Sequence, residues 1–337
     1  MPDRIIPLRT SERSAFKSCR QKWYWAYVDK LSQKRDRPAL FFGSLVHAAF
    51  EQYYIPGIKR GPHPAKVLSD LYRAHLDSGK PHVYMKTPKE GADESERMNA
   101  EDLGVDLLEA YVQHYGSDQS FEVISPEQAF QVDVSSPRTG KYMFTYVGQI
   151  DAVIRRIKDG RLGFLEHKTG ASLEPFGAPV ELDEQNGAYW TFGPDYLQGK
   201  GILLRGEELD FVLYNRLRKS MGDQRPTNNE GLSLNLNGSV SKRQPQPRFK
   251  REFVYRGDAE RLSVFNRTLN EFREMQMVRK GKLAVYKNPD KHCGYCEFRS
   301  MCEVHESGGE WEAIRDFEME LWDPYEIHND ELGSESD

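Results

Sequence analysis

The chain has 337 residues, of which 38% are hydrophobic, 29% charged and 12% aromatic; that content excludes a wholly disordered chain and predicts a packed core. No run of about 18 apolar residues occurs, which excludes a membrane-spanning helix and any expected membrane partner. The opening MPDRIIPLRTSERSAF has no apolar signal core, so the expected location is cytoplasmic, and a net charge of −5 taken whole argues against a nucleic-acid partner.

In chain order, the helical spacing of Phe16, Cys19, Trp23 and Tyr27 predicts a first helix over about 12–28. A second fits about 42–54 and contains Gly43, His47 and Glu51. Residues 55–98 are Pro/Gly-rich, with a short helix at about 65–77. Asn99 can cap a helix reaching about Tyr115, with Leu103, Leu107, Leu108 and Tyr111 facing inward. Segments rich in Val, Ile, Phe and Tyr predict strands over about 121–133, 142–157, 162–168 and 209–217, with a helix at about 181–198 between the last two. Residues 220–248 read as a polar Asn/Gly/Pro loop, and a helix from about Asp258 to Lys280 precedes three of the four cysteines. The expected fold class is α/β, a central mixed sheet flanked by helices.

Charge is unevenly placed. Residues 303–337 carry thirteen Asp/Glu and one Arg, a local −12, which leaves +7 on the rest. Residues 1–37 hold ten Lys/Arg against four Asp/Glu, and residues 214–256 hold ten against three. Trp23, Tyr24, Trp25 and Tyr27 interleave with the first basic stretch, and Phe249, Phe253 and Tyr255 with the second. Cations beside stackable rings suit a nucleic-acid strand, although ordinary solvated surface reads the same way. The tail, with Trp311, Phe317, Leu321, Trp322 and Tyr325 among its acids, reads as an interaction segment for a protein partner or a shield over the basic surface.

The most informative segment is YMFTYVGQIDAVIRRIKDGRLGFLEHKTG, residues 142–170. Asp159-Gly160 between two β-rich runs predicts a two-residue hairpin turn with φ > 0 at both positions. Position i then pairs with 319 − i, so Asp151 faces Lys168 and Glu166 faces Val153. Asp151, Glu166 and Lys168 therefore share one side of the sheet, with Cβ atoms roughly 5–8 Å apart. Two carboxylates on one side suit a hard cation such as Mg²⁺ or Mn²⁺, and Lys168 can position or activate an attacking water. A charged, exposed sheet face with an incidental ion pair remains the plain alternative.

The Asp151, Glu166-His167-Lys168 pattern across a hairpin resembles the core of the PD-(D/E)XK nucleases. Gly43-x-x-x-His47-x-x-x-Glu51 and Gln185-x-x-x-Tyr189 resemble two further motifs of its RecB-like branch, in the expected order. The resemblance implies a restriction-endonuclease-like core in which His47, Asp151, Glu166 and the His167 carbonyl hold the metal. It implies that Lys168 serves the attacking water and that Gln185 and Tyr189 orient Lys168 or the strand. It covers about residues 10–305.

Cys293, Cys296 and Cys302 form C-x2-C-x5-C, and Cys19 stands alone far upstream. Two disulfides are not expected in a cytosolic chain; zinc, an iron–sulfur cluster, or a simply buried Cys19 all remain open. One cysteine before the core and three after it resembles the iron–sulfur nucleases of the RecB-like group, the AddB-type subunits and CRISPR-associated exonucleases. The resemblance implies a 4Fe-4S cluster on Cys19, Cys293, Cys296 and Cys302 that joins the N- and C-terminal parts. The organisation expected is a helical region at 1–120, a nuclease core at 121–217, a basic loop, helix and cluster region at 218–305, and an acidic tail at 306–337. The expected function is metal-dependent exonucleolytic hydrolysis of DNA, single-stranded or at ends, in recombination, repair or phage and mobile-element processing. A catalytically silent DNA-binding or adaptor subunit is the alternative, and an iron–sulfur redox protein has no supporting cofactor motif.

Overall fold

The computed structural model describes residues 5–34, 37–86, 98–174 and 179–325. Its N-terminal elements are β1 (Pro7–Leu8), α1 (Thr10–Ser18), α2 (Arg20–Trp23) with a π-helical turn at Tyr24–Val28, β2 (Leu31–Gln33), α3 (Pro38–Tyr53) and α4 (Pro64–Asp77). The short strands β3 (Tyr84–Lys86) and β4 (Met98–Asn99) lead to α5 (Ala100–Tyr115). Then come β5 (Phe121–Ser135), β6 (Tyr142–Arg156), β7 (Leu162–Gly170), α6 (Glu184–Gly199), β8 (Leu209–Arg218), β9 (Phe249–Tyr255) and α7 (Asp258–Arg279). The chain continues through α8 (Arg299–Glu306), α9 (Trp311–Glu318) and β10 (Met319–Leu321).

Local chemistry explains the helix starts. Proline stands in the first turn of α3 and of α4, where its missing N–H costs nothing. Asn99 and Asp183 cap α5 and α6, their side chains accepting from the amides of Asp102 and Asn186 at 2.8 Å each. No helix among the described residues is long and apolar enough to cross a membrane.

The sheet is mixed, as the segment pattern predicts. Its path runs β1-β6-β7-β8-β9, with β5 also paired to β6. β5 and β7 run antiparallel to β6, β8 runs parallel to β7 through the α6 crossover, and β9 closes an edge antiparallel to β8. β9 lies in the basic stretch read from sequence only as charge and aromatics. One core, with Phe16, Trp190, Phe192 and Phe272, places α1, α6 and α7 on one face; the other, with Phe42, Leu68 and Leu107, places α3, α4 and α5 on the opposite face.

Three expectations need correction. The helix expected over 12–28 is broken at Cys19, whose backbone is extended at φ −162 and ψ 118. The break leaves the Ser18 carbonyl and the Gln21 amide free to bond with Asn288 Nδ2 and the Tyr286 carbonyl, at 2.9 and 3.1 Å. Hydrophobic periodicity misses it because Phe16, Trp23 and Tyr27 stay buried in one core on both sides of it.

The hairpin register is two residues from the expected one. Ala152 pairs with Leu165 and Arg155 with Leu162. The turn is longer than two residues, closed by the Arg156 and Gly160 amides, and only Gly160 has φ > 0, at 73°. Asp159 instead accepts from Arg156 on one side and from the Arg161 amide on the other, which favours the wider loop. A shift of two preserves the side-chain faces, because strand alternation has period two.

The acidic tail, as far as residue 325, is folded onto its own chain. β10 pairs with β2, the Trp311 ring lies 5.9 Å from that of Trp25, and the Tyr325 hydroxyl donates to buried Glu12 at 2.7 Å. The remainder of the expected tail, 326–337, lies outside the described residues.

Candidate active site

β6 and β7 are paired only as far as Ala152 and Leu165. Beyond that point β6 stays with β5 and β7 stays with β8, so the two strands part. Asp151 and Glu166 are the first residues past the split. The alternation of β6 also slips there, since Ile150 and Val153 belong to one core while Ala152 and Ile154 belong to the other. The gap is thus reached from both faces, by His47 on α3 and by Gln185 and Tyr189 on α6. It opens into a cleft of about 1110 Å³ between β6, the end of β7, and the starts of α1 and α6.

Both carboxylates are held firmly. Asp151 Oδ2 accepts from the His167 amide at 2.6 Å, and Oδ1 lies 3.1 Å from His47 Nδ1. Burial opposes ionisation of Asp151, but His47 and the His167 amide outweigh it and hold the carboxyl below its usual range. Burial lowers His47, yet Asp151 and Glu166 carry it the other way, to about 9. Burial pushes Glu166 up, against the charge of Lys168, with Asp151 adding to the rise.

The lysine sits in a chain of contacts. Lys168 Nζ is 2.5 Å from Glu166 Oε1 and donates to Gln185 Oε1 at 2.7 Å, and Gln185 Nε2 donates to the Tyr189 hydroxyl at 3.1 Å. The i,i+4 spacing on α6 is what aligns Gln185 with Tyr189. Gly148 permits the close approach of Tyr189: a Cβ there would lie 2.7 Å from its ring and 2.6 Å from Phe130. Burial works against the charge on Lys168, but Glu166 and Asp183 raise its pKa overall. Glu166 and Gln185 thus hold Lys168 as a cation in this arrangement. Tyr189→Phe is expected to lower turnover roughly tenfold by loosening Gln185, less than Gln185→Ala, in a comparison of kcat for the two variants.

His167 is buried with its ring stacked on Phe50 and Tyr54, centroids 4.3 and 5.4 Å away, and its Nδ1 is 2.8 Å from Asn215 Nδ2. Asn215 Nδ2 also donates to the Tyr111 hydroxyl, which takes a bond from Arg251, itself paired with Asp118. Burial lowers His167 to about 3, so the ring stays neutral. Between its ordinary value of 6.5 and about 3, the unfolded chain binds a proton that the folded chain does not, and stability falls as pH drops through that window. Thermal midpoints measured across it should decline, and His167→Phe, which keeps the stack, should flatten part of the decline.

Sequence reading missed several residues here. Glu127 on β5 lies between the pairs Pro126–Ala152 and Gln128–Ile150, hence opposite Asp151. It accepts from Gln149, and burial, then Glu51 and Asp151, raise it to about 7. No motif marks it; only a strand-pairing register could have found it. Asn215 and Arg251, behind His167, are equally silent in sequence because their partners lie on other elements.

The expected strand-guiding aromatics need correction. Trp23, Trp25 and Tyr27 are buried in the core and cannot stack on a base, whereas Phe253 and Tyr255 on β9 are exposed. Much of the basic count is also neutralised internally: Arg251 with Asp118, Arg256 with Glu260 and Arg225 with Asp223. A charge count does not register such pairing.

Two ligand sets were expected. Among the described residues, no three or more His, Cys, Asp or Glu side chains form a group that could hold an ion in their present arrangement. At the strand split, His47 is engaged with Asp151 and Lys168 with Glu166. The donor chemistry nonetheless fits a hard divalent cation, because two carboxylates, Asp151 and Glu166, meet at the split and a cation would offset the cost that burial puts on ionising Glu166. The four cysteines are unbonded to one another, Cys293 exposed and the rest half-buried.

A mixed sheet with carboxylates and a lysine at a strand split, flanked by helices on both faces, is compatible with a PD-(D/E)XK core. The chain belongs to the PD-(D/E)XK nuclease superfamily, whose family model matches residues 10–303. That family suggests metal-dependent nuclease activity, and its nucleases typically use Mg²⁺ or Mn²⁺. No curated protein matches the chain.

Proposed function

We propose that the protein is an exodeoxyribonuclease that hydrolyses single-stranded DNA or DNA ends in recombination, repair or mobile-element processing. The observation that carries this reading is the Lys168 ammonium held between Glu166 and Gln185 in the lining of the cleft. Asp151, Glu166 and His47, with the carbonyl of His167, would hold Mg²⁺ or Mn²⁺. When bound, that ion supplies a Lewis acid for the phosphoryl oxygen and lowers the pKa of a water. Lys168 orients the attacking water and balances charge on the phosphoryl group. Gln185 fixes Lys168, Tyr189 fixes Gln185, and the buried His167 stack fixes the amide that holds Asp151. Time courses on 5′- and 3′-labelled single- and double-stranded DNA with Mn²⁺ test the reading. Fragments released only from ends, and faster from single strands, are expected; internal cuts in circular DNA would remove the exonuclease assignment. Salt-sensitive binding without turnover would leave a DNA-binding adaptor role.

The same proposal assigns a 4Fe-4S cluster to Cys19, Cys293, Cys296 and Cys302. Its support is electrostatic and topological. Burial raises Cys302, the charges of Cys19, Cys296 and Cys293 add to the rise, and burial and Cys19 do the same to Cys296. Thiols that repel one another's charge are the donor set that iron compensates. The Ser18–Asn288 and Gln21–Tyr286 bonds hold the two cysteine-bearing segments together. Residues 326–337 carry five Asp/Glu and no Lys or Arg, a charge that opposes the binding of a polyanion. Truncation after residue 325 should therefore tighten DNA binding at low salt, and truncation after residue 310 should lower the thermal midpoint instead; fluorescence anisotropy and melting curves separate the two.

A further inference from the structure

The cleft contains a cation that the hydrolytic site does not use. Arg216 lies on β8 in register with Lys168 on β7, so the two stand side by side on adjacent strands. It lines the cleft and yet is only 6% exposed. Its Nη1 donates to the Leu173 carbonyl at 2.8 Å, and its Nε is buried with no hydrogen-bond partner. Among the described residues, no carboxylate pairs with it.

The absence of a partner does not come from a lack of acids nearby. Asp183 in the cleft wall accepts from the Asn186 amide as the cap of α6. Glu184 is paired with Lys17, and Glu174 with Lys250. Each acid of the cleft is engaged elsewhere, while Lys168 is taken by Glu166. A guanidinium cannot shed its proton to relieve burial. Buried charges are otherwise found paired or bound to ions, so this one is organised for an anion that arrives from outside. Ser11 and Ser14 of α1 line the same cleft.

We propose that Arg216 is the centre of a second phosphate subsite, which binds a phosphodiester of the substrate strand other than the one that is cut. The inference rests on the nuclease reading and adds a specificity determinant to it. A planar fork of donors suits a phosphate better than the point charge of a lysine does. Lys168 serves the reacting phosphate, and Arg216 fixes the position of the strand relative to it.

Two measurements test the subsite on the full-length protein. In the first, wild-type protein in EDTA binds a labelled single-stranded oligothymidylate series, each member carrying one neutral methylphosphonate at a different linkage. A loss of about tenfold is expected at two linkages, the one that Mn²⁺-loaded protein cuts and one other. In the second, Arg216→Gln, which retains a donor for the Leu173 carbonyl, removes the penalty at the second linkage and raises KM for the all-phosphate strand. It also lowers the salt slope of binding by about 0.7, as expected for one lost phosphate contact to a single strand. Arg216→Lys recovers the slope but only part of the affinity. A wild type that cuts DNA yet shows a penalty at a single linkage overturns the subsite and leaves the nuclease reading intact. So does a folded Arg216→Gln variant with an unchanged slope. Wild-type protein that neither binds nor cuts the unmodified strand removes the nuclease reading, and the subsite with it. The wild-type scan decides the matter even if the variant fails to fold.

Discussion

Lys168→Ala is expected to reduce metal-dependent DNA cleavage by about 10³-fold while weakening DNA binding in EDTA by no more than about tenfold, as for one lost phosphate contact. The side chain is a cation fixed by Glu166 and Gln185, so its removal takes away charge stabilisation at the reacting phosphate and empties the contact that Gln185 and Tyr189 support. The variant should fold. Glu166 is already pushed up by burial, and without Lys168 it takes a proton at neutral pH and remains buried as the acid. The sign of the accompanying pH effect follows. In the variant, folded Glu166 binds a proton that the unfolded chain has released, so stability is lost as pH rises above its ordinary value of 4.5. The gap in thermal midpoint between variant and wild type should widen from about pH 6 to about pH 9. A variant that cuts at the wild-type rate would end the assignment of Lys168.

Cys19→Ser is expected to produce protein with little iron or acid-labile sulfide, no visible cluster absorbance, and a denaturation free energy lower by about 2–4 kcal/mol. The cluster would close a loop from residue 19 to residue 293, and long closed loops remove much unfolded-chain entropy. The fold reduces how much of that falls to the cluster alone. The N- and C-terminal segments already meet through β2 and β10, through Trp25 against Phe298 at 5.6 Å, and through the Ser18–Asn288 bond. Those contacts survive the substitution, which places the expected loss below that of a chain whose ends are joined by a cluster only. Nuclease activity should persist in part at low temperature, because none of the contacts described at the strand split involves a cysteine. Wild-type protein that contains stoichiometric zinc and no iron would replace the cluster with a zinc site, and full iron content in Cys19→Ser would exclude Cys19 as a ligand.

The readable part of the site was the part carried by local spacing. Glu166 and Lys168 are two apart on one strand, and Gln185 and Tyr189 four apart on one helix, so period-two and helical geometry bring each pair together before any tertiary contact exists. The hairpin was legible for a related reason: an error of two in its register keeps the faces of the paired segment from Ala152 to Arg155, whereas an error of one would have reversed them. Asn99 and the inward leucines of α5 were likewise local. Cys19 shows the limit, since a one-residue break in a helix alters neither the apolar spacing around it nor the composition.

By itself, then, the sequence determined the α/β class, four of the six strands of the sheet, and the Asp151, Glu166, Lys168, Gln185 and Tyr189 group that stands together at one end of it. Tertiary structure alone decided three things. It decided that β6 and β7 part at Asp151 and so open a cleft, because that depends on which neighbour each strand keeps. It decided which charges are paired, joining Arg251 to Asp118 across the fold and leaving Arg216 with no acid partner among the described residues. It also decided that the aromatic run Trp23–Tyr27 and the tail to residue 325 pack against each other. Charge compensation and burial depend on partners distant along the chain, and a count or a local period does not contain them.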